Sequence, residues 1–116
     1  MVKGAIVKKI FVILILFAGV VFASRAVSYE SLTVTDSAKA ITPSTLSLVL
    51  AHGQCSGRLE TAQIRFRVDG TDPTDSEGVL VEVGEFITIR ELTNLLAFRA
   101  IRTGESSGVL KLHCYQ

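Results

Sequence analysis

The chain has 116 residues, which is enough for one modest domain and too few for two. Lys and Arg number 12 and Asp and Glu number 11, and this balance excludes a strongly basic nucleic-acid binder, because phosphate binding needs clustered positive charge. Hydrophobic residues make up 48% of the chain, which excludes a disordered acidic tail.

The first 23 residues have the pattern of a secretory signal peptide. Three lysines precede an uncharged apolar run of 14 residues, at positions 10–23. That length fits the apolar region of a Sec signal and is shorter than the roughly 20 residues that cross a bilayer. Small residues predict cleavage after Ala23 or after Ala26. We therefore expect export to a periplasm or to the outside, with membrane contact only through the leader before cleavage; an uncleaved anchor is the alternative.

The rest of the chain predicts an all-β domain. Residues 24–44, rich in Ser, Thr and Ala, predict a loosely ordered arm or a first strand, and residues 45–116 predict the domain itself. Turn signals separate short alternating runs at spacings of roughly 8–12 residues, which favours one antiparallel β-sandwich of seven to eight strands. Residues 90–96 predict one helical turn at most. The alternating runs are 32–35, 46–50, 64–68, 79–83, 87–90, 96–101 and 110–114.

Cys55 and Cys114 are the two cysteines of the chain. An even pair in a small exported domain favours a disulfide. Cys114 alternates in phase with Leu110 and Leu112. Cys55 is in phase with Gly57 and Leu59, so both cysteines are expected to face the core. Two free buried thiols are the alternative. A catalytic pair with His113 is disfavoured, because neighbours on a strand point to opposite faces.

Residues 69–77 contain four carboxylates in nine positions. Calcium favours such clusters, but the spacing does not match an EF-hand loop. Asp-Gly and Asp-Pro pairs are turn formers, so we interpret the segment as a hairpin loop and expect no metal there. Its turn motif consists of Asp69, Gly70, Thr71, Asp72, Pro73 and Thr74.

Arg65 and Arg67 share the polar face of one predicted strand, and Arg99 or Arg90 joins them if their strands are neighbours. Arg65, Arg67 and Arg99 form the candidate interaction face, because clustered guanidinium groups bind anionic groups or an acidic partner. The interpretation that we favour is cross-strand pairing with carboxylates. The expected partners are Glu82, Glu60 or Glu91.

No sequence motif for nucleophilic, phosphate-binding or metal-assisted catalysis is present, so we expect neither an enzyme nor a cofactor.

The segment 64–102 resembles the small immunoglobulin-like module at the C-terminus of chitobiases, through its I-x-F-x-x-D-G-T-D-P-T run. It is more similar to short β-rich proteins of tailed phages and prophages. Those share an R-x-R-x-D-G-T-x-P-T run, a Gly-Glu pair before an Ile-rich strand, and an F-R-A-I-R-T-G segment. The matching residues here are Arg65, Arg67, Asp69, Gly70, Thr71, Pro73, Thr74, Gly84, Glu85 and 98–104.

This resemblance implies an immunoglobulin-like sandwich and a virion-associated role without catalytic residues. The leader and the cysteine pair distinguish the chain from those phage proteins and point to a periplasmic or extracellular site of action. We therefore expect a non-catalytic, exported structural or interaction module of virion or prophage origin, with an unknown protein or surface partner. A carbohydrate- or cell-wall-binding module and a small secreted enzyme inhibitor are the alternatives.

Overall fold

Seven β-strands and two short helices form the part of the chain that the structure, a computed structural model, describes: residues 25–116. The predicted leader, 1–23, and its first cleavage site lie outside these residues. None of the helices in the described part is long and apolar enough to span a bilayer. The elements are β1 Ala26–Val34, α1 Pro43–Leu46, β2 Gln54–Glu60, β3 Ile64–Arg67, β4 Val79–Val81, β5 Phe86–Arg90, α2 Leu92–Ala97, β6 Arg99–Arg102 and β7 Gly108–Tyr115.

The strands form two antiparallel sheets, which gives the predicted β-sandwich-like fold. The four-stranded sheet has the order β1-β7-β2-β5 and the three-stranded sheet has the order β4-β3-β6. Beyond β1 the chain crosses to the other sheet, where Lys39 bridges to Ala100 of β6. The last strand, β7, lies between β1 and β2, whereas in the immunoglobulin constant-type arrangement the last strand belongs to the three-stranded sheet.

The core lies between the two sheets and follows the predicted alternation. In β7 the side chains of Leu110, Leu112 and Cys114 are fully buried, while His113 is exposed. Phe66 of β3 stacks on Phe98 with ring centroids 5.5 Å apart. The apolar side chains on the inner faces of the two sheets are removed from water. This burial is the main stabilising contribution to such a fold.

The predicted disulfide is confirmed. Cys55 of β2 and Cys114 of β7 are directly opposite each other in the sheet register, their Cα atoms are 4.0 Å apart, and they are bonded. Both side chains are fully buried.

The strand predicted over 46–50 is wrong. The chain there forms α1 and a turn, and Leu46 and Val49 are buried while Leu48 and Leu50 are each 59% exposed. Buried positions three residues apart suit helical turns, and Pro43 starts the helix because its missing N–H costs nothing there.

The strand predicted over 96–101 is correct only from Arg99 onward. Residues 92–97 form α2, in agreement with the helical turn predicted in this region, and Leu96 is 57% exposed. Glu91 has a φ of 73° and turns the chain out of β5 into the helix. The N-terminal segment contains a strand, β1, whose pairing with β7 is one of the longest in the molecule.

Candidate functional site

The candidate interaction face lies on the outer side of the three-stranded sheet. Arg65 and Arg67 are on β3, and Arg99 is on β6 directly opposite Arg67. Arg90 is in the other sheet, so it does not join them. The structure therefore brings together the three arginines that the sequence indicated.

These arginines do not pair with the carboxylates that we expected. Among the described residues, Glu82 accepts a hydrogen bond from Gln63 (2.7 Å) and Glu91 contacts His52 (2.9 Å). Glu60 and Glu91 belong to the four-stranded side of the sandwich, which explains why cross-strand pairing fails. The prediction of Glu82, Glu60 or Glu91 as partners is wrong.

Two of the three arginines instead hold the segment 69–78, here called the acidic loop. Arg65 donates from Nε to the carbonyl oxygen of Asp75 (3.2 Å) and from Nη1 to that of Gly78 (3.0 Å). Arg67 donates from Nε to Oδ1 of Asp69 (3.0 Å), and its Nη2 binds the other carboxylate oxygen. The loop is thus fixed at its start, its middle and its end.

Arg99 is used differently. Its Nη1 donates to the carbonyl oxygens of Phe98 (2.7 Å) and Leu96 (3.2 Å), at the end of α2. A cation next to the last carbonyls of a helix is electrostatically favourable. Its guanidinium therefore stabilises the junction between α2 and β6.

The predicted turn motif forms consecutive local turns. Gly70 has a φ of 85°, a conformation that favours glycine, and the carboxylate of Asp69 accepts the N–H of Thr71 (3.3 Å). Thr74 accepts the N–H of Glu77 on its hydroxyl (2.9 Å) and donates its own N–H to the carbonyl of Glu77 (2.9 Å). Pro73 is buried, so the loop folds back on the sheet.

The close packing of the loop is visible at Gly78. A Cβ at this position would lie 3.1 Å from Cβ of Pro73 and 3.2 Å from Cβ of Arg65, and the φ of 133° is one that side chains rarely adopt. The outer face of β3 is therefore covered by the loop at this point.

Of the four carboxylates of the acidic loop, one is ion-paired among the described residues and three are not. The hydrogen bond from Arg67 lowers the pKa of Asp69 to about 2, and the same bond raises the pKa of Arg67. Asp72, Asp75 and Glu77 are exposed, and within residues 25–116 their carboxylate groups accept no hydrogen bond and form no direct ion pair, although the charge of Glu77 contributes to the raised pKa of Arg67. No group of three His, Cys, Asp or Glu side chains in the described part is placed to hold a metal ion.

Shallow depressions flank the loop on two sides. One, of about 330 Å³, lies between the loop and the end of β6, where Pro73 and Asp75 face Ile101 and Arg102. The other, of about 480 Å³, lies between Arg67 and Val79. The loop therefore stands between two shallow depressions of the surface.

The two histidines take no part in this site. His113 stacks edge-on against Tyr29 on the outer face of the four-stranded sheet, with ring centroids 5.1 Å apart. Sequence reasoning missed the backbone carbonyls of Asp75 and Gly78 as arginine acceptors. The signal that could have revealed the Arg67–Asp69 pair is their spacing of two residues at the end of a strand.

Comparison of the chain with protein-family models, with curated proteins and with solved structures gave no match.

Proposed function

We propose that this protein is an exported, non-catalytic binding module that presents the acidic loop to a basic surface on a protein partner. The observation that carries the proposal is the use of Arg65 and Arg67 to fix the loop from below while Asp72, Asp75 and Glu77 project from it. A loop that is ordered before binding loses less conformational entropy when it binds.

Electrostatics gives the class of partner. Charged groups at the rim of an interface mainly raise the association rate and select partners of opposite charge. Three carboxylates within six positions form a local negative field on an exported part whose net charge is about −2. A partner surface rich in Lys and Arg fits this field.

A small secreted enzyme inhibitor is the second candidate function. The observation in its favour is the same fixed loop, which stands between two shallow depressions of the surface. In that case the loop would fill a basic cleft, whereas a structural module would bind a flatter surface.

Export is part of the proposal. The disulfide supports an oxidising compartment, and the basic and apolar pattern of 1–23 supports a Sec leader. The turn motif supports an origin among prophage proteins and an immunoglobulin-like ancestry, although the position of β7 in the strand order differs from that fold.

The test of the loop uses two charge-matched variants. Asp72→Asn/Glu77→Gln removes two exposed charges from the loop, and Glu60→Gln/Glu105→Gln removes two exposed charges elsewhere. Binding to immobilised lysozyme and trypsin, two basic enzymes, is measured at low and high salt, together with inhibition of each. We expect salt-sensitive binding that the loop variant weakens and the control variant retains. Equal behaviour of the two variants overturns the loop as the contact.

Two further measurements distinguish the proposed binding module from a cell-wall module and from an enzyme. Loop-independent sedimentation of the protein with chitin or peptidoglycan would replace the proposal by the cell-wall module. Hydrolysis of either polymer, or of a protein substrate, abolished by a single substitution in the domain, would show an enzyme.

Export is tested by intact mass. After full-length expression in a bacterium we expect a periplasmic species that begins at Ser24 or Val27 and gains two hydrogens on reduction. A membrane-bound, uncleaved chain with free thiols would contradict it.

A further inference from the structure

The strand β5 forms an open edge of the four-stranded sheet. Its five residues pair with β2 without a bulge, from Phe86 opposite Arg58 to Arg90 opposite Gln54. No strand in the described part pairs with its other side. Proteins usually protect such an edge with proline, lysine, a bulge or a covering segment, because it can pair with another strand. Residues 86–88 of β5 have none of these devices.

The hydrogen bonds at the two ends of β5 show which backbone groups face outward. Leu59 donates its N–H to the carbonyl of Glu85 (3.0 Å), and Glu91 donates its N–H to the carbonyl of Gly53 (2.8 Å). In an antiparallel pair, hydrogen-bonded and non-hydrogen-bonded residues alternate. The odd-numbered residues of β5 therefore bond to β2, and the N–H and C=O groups of residues 86, 88 and 90 point away from the sheet.

One end of this edge is already closed. The side chain of Asn94, in α2, donates from Nδ2 to the carbonyl oxygen of Arg90 (3.0 Å). On the outward side of Phe86 and Thr88, no residue within 25–116 bonds to either N–H or either C=O. These two donors and two acceptors are the backbone groups of this edge that are available for pairing.

We propose that β5 pairs with β5 of a second copy of this chain, antiparallel, with Phe86 of each copy opposite Thr88 of the other. The two-fold axis then passes beside Ile87, and the two copies form four hydrogen bonds that satisfy all eight outward groups of Phe86 and Thr88. The two four-stranded sheets become one sheet of eight strands.

Neighbouring registers use the edge less well. Centring the pair on Thr88 would require the carbonyl of Arg90, which Asn94 already binds, and would place Glu85 opposite Glu91. Centring it on Phe86 would require Gly84, whose N–H already bonds to Leu59 and whose φ of 90° leaves the strand conformation. Self-complementarity of the free groups therefore selects a second copy as the occupant and fixes the register.

The exposed side chains at this edge agree with the register. Phe86 is 61% exposed and Val83 55% exposed, although both are large and apolar. Across the proposed pair the two Phe86 rings are diagonal neighbours, and so are Arg90 of one copy and Phe86 of the other, within reach of ring–ring and cation–π contact. Ile87, half-buried in each copy, would meet its counterpart at the axis.

The pairing does not depend on the proposed binding function. The edge used is in the four-stranded sheet, whereas the acidic loop lies on the outer side of the other sheet. A monomer can therefore bind a partner through its acidic loop, and a dimer, which carries two such loops, can form without that partner.

The first test is the solution mass of the protein purified after full-length expression, by sedimentation at concentrations up to about 1 mM, since small contacts belong to the weak class. Thr88→Pro removes an outward N–H and leaves the ladder with β2 intact. The matched control is Thr33→Pro on β1, at the opposite edge, where the same alternation points the N–H outward. We expect a dimer whose dissociation constant rises at least tenfold in Thr88→Pro and not in Thr33→Pro.

A second test reads the register directly and does not depend on the stability of a proline variant. Ile87→Cys places two thiols at the axis, in the same kind of close pair that holds Cys55 and Cys114. We expect oxidation to give a covalent dimer, with Thr88→Cys cross-linking far less because its copies are diagonal. A monomeric mass at all concentrations, equal loss in both proline variants, or preferential cross-linking of Thr88→Cys overturns the proposal.

Discussion

Gly57 lies in β2, two residues from Cys55, where the backbone of β7 comes very close. A Cβ added at this position would overlap the carbonyl oxygen of Lys111 and lie 3.0 Å from Cα of Leu112. The obstacle is backbone, which cannot rotate away as a side chain can. The two strands are also fixed in register by the disulfide, so close approach requires glycine here.

We predict that Gly57→Ala lowers the free energy of unfolding by about 3 kcal/mol or more, because β2 and β7 must separate to admit the methyl group. Urea unfolding measures the change. Gly104→Ala is the control, since nothing lies within 4 Å of the added Cβ, and we expect a change below about 0.5 kcal/mol. Equal stabilities of the two variants would contradict the close approach.

The pairing of Arg67 with Asp69 predicts a pH dependence. The pKa of Asp69 is about 2 in the folded protein and 3.8 ordinarily, so its contribution to stability is complete above about pH 4 and is lost as the pH falls through 2. We predict that Arg67→Gln returns the pKa of Asp69 toward its ordinary value, followed by the NMR shift of its carboxyl carbon. Arg65→Gln, which removes bonds to carbonyls only, should leave that pKa in place; a shift in both variants would argue against the pairing.

The sequence located these arginines but not their partners. Arg65 and Arg67 are two residues apart in a strand, and side chains two residues apart point to the same face. The acceptor of Arg67 is Asp69, only two residues away, and the spacing of the pair is a local signal. The acceptors of Arg65 depend on where the acidic loop folds back, which is set by the burial of Pro73 and by the positive φ of Gly78. No local pattern encodes that return path.

Among the short elements, α1 has a buried leucine, Leu46, and is hydrogen-bonded to one carboxylate of β1. The carboxylate of Glu30 accepts the N–H of Thr42 (2.9 Å), the hydroxyl of Thr42 (2.7 Å) and the hydroxyl of Thr45 (2.7 Å). These three bonds fasten the segment that crosses between the sheets to the first strand. A helix of four residues cannot be stable by itself, because nucleation costs more than so few bonds return.

We predict that Glu30→Ala lowers the free energy of unfolding by about 1–2 kcal/mol, since three donors lose a charged acceptor. It should also speed hydrogen exchange at the amide of Thr42. Glu105→Ala is the control, because Glu105 is exposed and no hydrogen bond of its side chain is described. Unchanged exchange at Thr42 would show that Glu30 does not hold the segment.

The two segments wrongly predicted as strands share one cause. Over 46–50 and at Leu96, apolar and polar residues alternate as they do in a strand. In the structure these residues lie in or beside short helices, and their burial follows the packing of those helices. Short leucine-rich segments satisfy both templates, so period alone cannot decide. The strands with β-branched and alternating residues, such as β3, β5 and β7, were predicted correctly.

For the whole molecule, the fold class could be predicted and the sheet order could not. Alternation and turn spacing indicate antiparallel strands and a shared core, and that was enough to bring Cys55 and Cys114 to the same side. The position of β7 between β1 and β2 depends on pairing between residues far apart in the sequence, as in the separation of 59 between the cysteines. Local sequence carries little information on such pairing.

The disulfide is the one covalent link between the first half of the domain and its last strand, and this makes the stability of the protein depend on its compartment. Linking two residues separated by 59 positions raises the free energy of the unfolded chain by about 4 kcal/mol in the chain-entropy account. We predict that Cys55→Ala/Cys114→Ala lowers the free energy of unfolding by about 2–4 kcal/mol, and that reductant destabilises the natural chain by a similar amount but leaves this variant unaffected. Urea unfolding with and without reductant measures both. A natural chain equally stable in reductant would mean that the sheet pairing alone holds β2 and β7 together, and that the fold does not require an oxidising compartment.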